Sequence, residues 1–99
     1  TVAPQALALL NDPFVRLRAG DLAERIREEV GDDREAQVKR AFELTLNRAP
    51  QAAESNEATA FLAQQTDERA HRGESSASLA VLTDFCHALF GLNEFIYVD

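Results

Sequence analysis

Asp84, Cys86 and His87 bring a carboxylate, a thiol and an imidazole into four consecutive positions. Together these are the parts of a nucleophile–base–orienter set, in which the imidazole takes the thiol proton and the carboxylate orients the ring. Asp84 and His87 are three apart, so a helix puts them on one face. Cys86 lies about 100° round the same helix from His87, too far for the sulfur to meet the imidazole within one helix. The spacing therefore favours a satisfied polar patch that caps a neighbouring element, with Cys86 a small buried hydrophobe. No catalytic residue is assigned.

Metal and cofactor signatures are also missing from the pattern. The other histidine, His71, has no ligand spacing to His87 or to a carboxylate cluster, so a zinc site would need ligands from several helices. Asp32, Asp33 and Glu35 lack the twelve-residue ligand rhythm and central glycine of a calcium loop. No glycine-rich phosphate loop and no Gly-x-Ser-x-Gly elbow is present. One cysteine allows neither an internal disulfide nor a Cys-x-x-Cys-His haem attachment. No cofactor is expected in this chain. Two further polar pairs, Asn11–Asp12 and Asn93–Glu94, sit where a helix starts and where the last apolar segment ends. Their simplest role is capping and turn formation. The functional alternative is a polar seam of Asn11, Asp12, Asp84, His87, Asn93 and Glu94 that recognises another domain.

The elements that must position these residues read as helices. The chain has 99 residues, 45% hydrophobic and 27% charged, which suits one folded domain. Nothing alternates with period 2 over a strand's length, and turn residues recur at Pro4, Asn11 to Pro13, Gly31 to Asp33, Asn47 to Pro50 and Gly73 to Ser76. Between them lie five segments. Pro4 to Leu10 is a short apolar helix. Asp12 caps a second, with Pro13 at its first position and an apolar stripe of Val15, Ala19, Leu22, Ile26 and Val30. Gly20 inside it marks a bend or a close helix crossing, and Gly31 ends it. Asp32 and Glu35 are spaced as a capping box for a third helix with Val38, Ala41, Phe42, Thr45 and Leu46 on one side and a Glu35–Lys39 pair outside. Arg48 is expected on that helix's last carbonyls. The fourth, Ala52 to Arg72, buries Ala58, Phe61, Leu62 and Gln65. The fifth starts at Ser76 or Ser78, and Leu79, Val81, Leu82, Phe85, Cys86, Ala88, Leu89, Phe90 and Leu92 surround it. A helix apolar all round is a buried one. The fold class is thus all-α, a small orthogonal bundle of about five helices around an apolar C-terminal helix. The tail Asn93 to Asp99 is a last helical turn with an extended end.

The formal net charge is -7, which repels nucleic acid and anionic head groups and leaves a basic protein face as an external partner. No apolar run approaches the roughly 20 residues that span a bilayer, so no membrane insertion is expected. The chain opens at Thr1 and contains no methionine, which is expected of a piece of something longer.

Three blocks look familiar. They are Thr1-Val2-Ala3-Pro4-Gln5-Ala6-Leu7 through Asn11-Asp12-Pro13-Phe14-Val15, Arg40-Ala41-Phe42-Glu43-Leu44-Thr45-Leu46-Asn47-Arg48-Ala49-Pro50, and Asp84-Phe85-Cys86-His87-Ala88-Leu89-Phe90 with Asn93-Glu94-Phe95-Ile96-Tyr97-Val98-Asp99. In this order they resemble the C-terminal part of a planctomycete domain of unknown function, number fifteen fifty-three in that series, found in planctomycete cytochrome-type proteins. The resemblance implies a large exported or periplasmic protein, often with an N-terminal cytochrome c domain. Any haem would sit in another domain of that parent, and the upstream domains would be this chain's partners. Gln51-Ala52-Ala53-Glu54 stands where the family has Thr-Pro-Glu-Glu, so that helix start is expected to be less well capped. Gly91-Leu92 replaces Asn-Ser. The family brings no activity to particular residues. The expected function is a non-catalytic structural or interaction module at the C-terminus of that protein. The alternative is part of an enzyme or polysaccharide-binding site completed by upstream domains.

Overall fold

Two helix starts in this chain are set by aspartates that accept the first free N–H groups. The computed structural model describes residues 11–97, with side chains described to residue 92. Asp12 caps α1, Pro13–Val30, accepting at 2.8 Å from the Phe14 N–H, and Pro13 supplies the fixed φ of the first turn. α1 ends at Gly31, whose φ of 75° suits a residue without Cβ and whose N–H donates to the Arg27 carbonyl. Asp33, not Asp32, caps α2, Arg34–Leu46, accepting from the Glu35 and Ala36 N–H groups. The expected capping box is therefore one residue out of place, and Asp32 instead lies 3.7 Å from Arg27. Lys39 forms no ion pair with Glu35 among the described residues.

Asn47 ends α2 in the left-handed region (φ 57°, ψ 31°), a conformation asparagine tolerates. The chain then turns into α3, Ala52–His71, whose start is better held than its sequence suggests. Glu54 accepts from the Gln51 N–H at 2.8 Å and binds both Nη atoms of Arg48 at 2.7 and 2.9 Å. Arg48 also stacks over the Phe42 ring at 5.3 Å, so it bridges two helices instead of closing the last carbonyls of α2. After Gly73 and Ser76, both at positive φ, α4 runs from Ala77 to Tyr97. It starts between the two serines expected to cap it. Its helix continues through residues 93–97 because no proline intervenes and Gly91 alone is too weak a breaker.

All four described helices and no strand make this an all-α domain. The expected first helix, Pro4 to Leu10, lies outside the described residues. The core is one cluster: Ala19, Ala23 and Ile26 of α1, Val38, Ala41 and Phe42 of α2, Ala58 and Leu62 of α3, and Val81, Leu82, Phe85, Cys86 and Leu89 of α4. α4 packs on all three other helices, as does α2, whereas α1 and α3 do not meet. α4 is not buried all round. Ala88 is exposed and Leu92 is 41% exposed, because three neighbours cannot cover a full circumference. Phe61 is likewise 40% exposed, since it lies about 100° from Leu62 and falls at the rim of the α3 stripe.

Gly20 faces α4, but a Cβ there would meet only Thr83 Cγ2 at 4.0 Å, an ordinary contact. The close crossing expected of this glycine does not require it. Gly20→Ala is therefore expected to stabilise the domain by about 1 kcal/mol, through lower unfolded-state entropy and better helix propensity. Urea unfolding at matched slope measures this, and a destabilised variant would contradict it.

Candidate functional site

Salt bridges between helices, not a cleft, gather the polar residues of the last helix. Asp84 projects from α4 between α1 and α3, with its side chain 28% exposed. Arg16 of α1 reaches Oδ1 at 2.7 Å, and Arg69 of α3 donates to Oδ2. Both carboxylate oxygens are thus occupied by guanidinium donors from two helices that do not otherwise touch. Glu74, in the α3–α4 turn, lies 3.7 Å from Arg69 and adds a second acidic group to the seam.

His87 joins this seam through Arg16, whose Nη1 lies 3.4 Å from the imidazole Nδ1. A guanidinium can only donate, so Nδ1 accepts and the neutral ring carries its proton on Nε2. That Nε2 is buried and has no partner among the described residues. Asp84 and His87 share a face as expected, but Arg16 stands between them. The carboxylate does not orient the imidazole, which a catalytic dyad would require. Cys86 points into the core, where burial pushes its thiol up to about 12. A thiol in that range is not a nucleophile at neutral pH.

Asp12 spends its carboxylate on the α1 cap, and Asn11 precedes it as an exposed residue. Arg16 meets Asp84 and His87 while Gly20 faces Thr83, so α1 and α4 run antiparallel. Asn11 and Asp12 therefore lie at the end of the bundle to which α4 carries Asn93 and Glu94, whose side chains are outside the described set. Asp84 and His87 are brought together through Arg16. His71 stands apart, its Nδ1–H donating to the Asp67 carbonyl at 2.7 Å. Among the described residues no three His, Cys, Asp or Glu side chains are placed to hold a metal ion. Arg16 and Arg69 are the two members that sequence reasoning missed. No spacing rule links them to Asp84, because the contacts are tertiary.

Two outcomes test this geometry. Asp84→Asn leaves two partly buried guanidiniums short of a counter-charge and should cost about 1–2 kcal/mol, between an exposed and a buried ion pair. Asp21→Asn, in the exposed i,i+3 pair with Arg18, should leave the urea midpoint nearly unchanged. Equal midpoints for the two variants would contradict the seam. At the α3 start, the side-chain bond from Arg48 and then the Gln51 N–H hold the Glu54 carboxyl down at about 2, against 4.5 ordinarily. A lowered folded-state value gives stability that is full above pH 4.5 and is lost as pH falls toward 2. Glu54→Gln should flatten the acid limb of the stability curve in that window, and an unchanged limb would contradict the assignment.

Residues 1–62 match the model of a family described as PSD1, protein of unknown function (DUF1553). No curated protein and no solved structure matches the chain. The match takes in α1, α2 and the first half of α3 and stops before Arg69, Asp84 and His87, so the seam spans matched and unmatched residues. With 62 of its 99 residues inside that match, the chain belongs to the DUF1553 (PSD1) family of proteins of unknown function.

Proposed function

We propose that this chain is a non-catalytic helical module that packs on, and helps position, the upstream domains of a larger exported protein. The observation that carries this reading is the use of Asp84, whose two oxygens tie α1 and α3 to α4 through guanidinium donors. Cys86, with its thiol pushed up by burial, serves packing in the same way. Docking is supported by Phe14 and Leu17, 62% and 64% exposed on α1. Isolated exposed apolar residues are ordinary, but two within one turn of α1 suit a contact with a neighbouring domain. The sequence resemblance supports a planctomycete parent in which this module is C-terminal and any haem is held in a cytochrome c domain elsewhere. The charge of -7 supports a basic protein face as the external partner.

A second reading is favoured by one observation. The buried Nε2–H of His87 lacks an acceptor among the described residues, as it would if an upstream domain or a bound polysaccharide supplied one. The full-length parent separates the two readings. Removal of this segment should lower soluble yield and resistance to proteolysis, and His87→Ala should leave ligand binding unchanged. Unchanged yield, haem content and assembly on removal would contradict the module. Loss of ligand binding in a soluble His87→Ala parent would establish the second reading.

A further inference from the structure

Where α1 stops and α2 and α4 start, the four helices line an open pocket of about 370 Å³ that takes no part in the Asp84 seam. Each helix contributes to it. Arg27 comes from the last turn of α1 and Arg34 from the first residue of α2. Thr66 of α3 and Ser78 of α4 add two hydroxyls, and buried Leu62 forms part of the wall. Gln37 spends its amide on the Gly31 carbonyl at 2.7 Å, which fixes the α1–α2 turn and hence the separation of the two arginines.

The charges in this pocket are unevenly used. Arg34 has no ion pair or hydrogen bond among the described residues, and neither hydroxyl is engaged. Arg27 has only a loose contact with Asp32, at 3.7 Å to a carboxylate whose side chain is 84% exposed. In a chain of net charge -7, a surface pocket lined by two arginines, two hydroxyl residues and one exposed carboxylate runs against the overall charge. α4 opens beside the pocket, with Ser78 as its second residue. No acidic residue sits in that first turn and no described side chain accepts from it. Guanidinium forks and hydroxyl donors together are a donor set that recognises a tetrahedral oxyanion.

We infer that this pocket binds a small oxyanion of the phosphate or sulfate class, held by Arg27 and Arg34 with Ser78 and Thr66 as hydroxyl donors. Asp32 acts against the ligand and sets its affinity low, because it competes for Arg27. The chain's own negative charge weakens binding further, so saturation falls on the order of millimolar at moderate ionic strength.

The test is titration of the 99-residue chain with inorganic phosphate and, separately, sodium sulfate, each against sodium chloride at matched ionic strength, followed by amide chemical shifts. Saturable shifts should cluster at residues 27, 34, 66 and 77–79. Arg34→Gln should weaken binding about tenfold. Asp32→Asn should tighten it severalfold, and Arg72→Gln, at an arginine that also lacks an ion pair, should leave it unchanged. Phosphate-only saturation would narrow the ligand to phosphate, and saturation by both would support the wider class. Shifts that are absent, scattered or matched by chloride would overturn the site. So would equal affinity in the wild type, Arg34→Gln and Asp32→Asn proteins. Should Arg34→Gln fail to fold, the opposite-signed effect of Asp32→Asn decides alone.

Discussion

Burial of one stripe of α4 is the constraint on which this domain rests. Val81, Leu82, Phe85, Cys86 and Leu89 are almost fully removed from water, and they touch elements that have little other reason to stay together. α1 and α3 never meet, so their relation is set through α4 and α2. Small residues make the close approach possible on the facing sides: Ala19 and Ala23 on α1, Ala41 on α2, Ala58 on α3. Fully burying each large aliphatic side chain contributes about 1.5–3 kcal/mol, against a total stability of about 5–15 kcal/mol for a domain of this kind. Loss of one such contact is therefore a large fraction of what holds the fold.

The polar features follow from that packing. With α1 and α3 on either side of α4, Asp84 falls between Arg16 and Arg69 and can satisfy both. The seam adds direction where hydrophobic burial has none, because two guanidiniums on one carboxylate fix how the helices are turned about their axes. Phe42 plays a similar part at the edge of the core. Its ring lies 6.3 Å from that of Phe85, while Arg48 covers it from the solvent side and reaches on to Glu54. At Glu29, the side-chain bond from Arg40 and the added bond from Arg25 hold the carboxyl below its usual range and join α1 to α2 on the outer surface. Asp12, Asp33 and Glu54 start helices, and Glu29 and Asp84 join them.

Local chemistry was the legible part of the sequence. Asp12 with Pro13, the Gly31 stop and the three- and four-residue spacing of Ala19, Ile26, Val38 and Phe42 are each encoded within one turn of helix, so a linear pattern reveals them. The Asp33 cap was missed by one position because Asp32 and Asp33 are chemically equivalent, and only the turn geometry chooses between them. Which face of an apolar helix stays exposed depends on the number of neighbours, so Ala88, Leu92 and Phe61 read as core in a pattern that counts only residue types. The candidate site was half legible. Asp84 and His87 share a helix face by spacing, but Arg16 and Arg69 reach them only through the tertiary fold, and they turn a suggested dyad into a clasp.

Native-state hydrogen exchange tests the central claim most directly, because it ranks the helices by the free energy needed to open them. If α4 organises the domain, the amides of residues 81–89 exchange slowest and only through global unfolding, with their rates tracking the denaturant-measured stability. The mid-helix amides of α1 and α3 then exchange faster, through partial openings that leave α4 paired with α2. Exchange at residues 81–89 that is faster than in α1 or α3, or that shows little dependence on denaturant, would contradict the account.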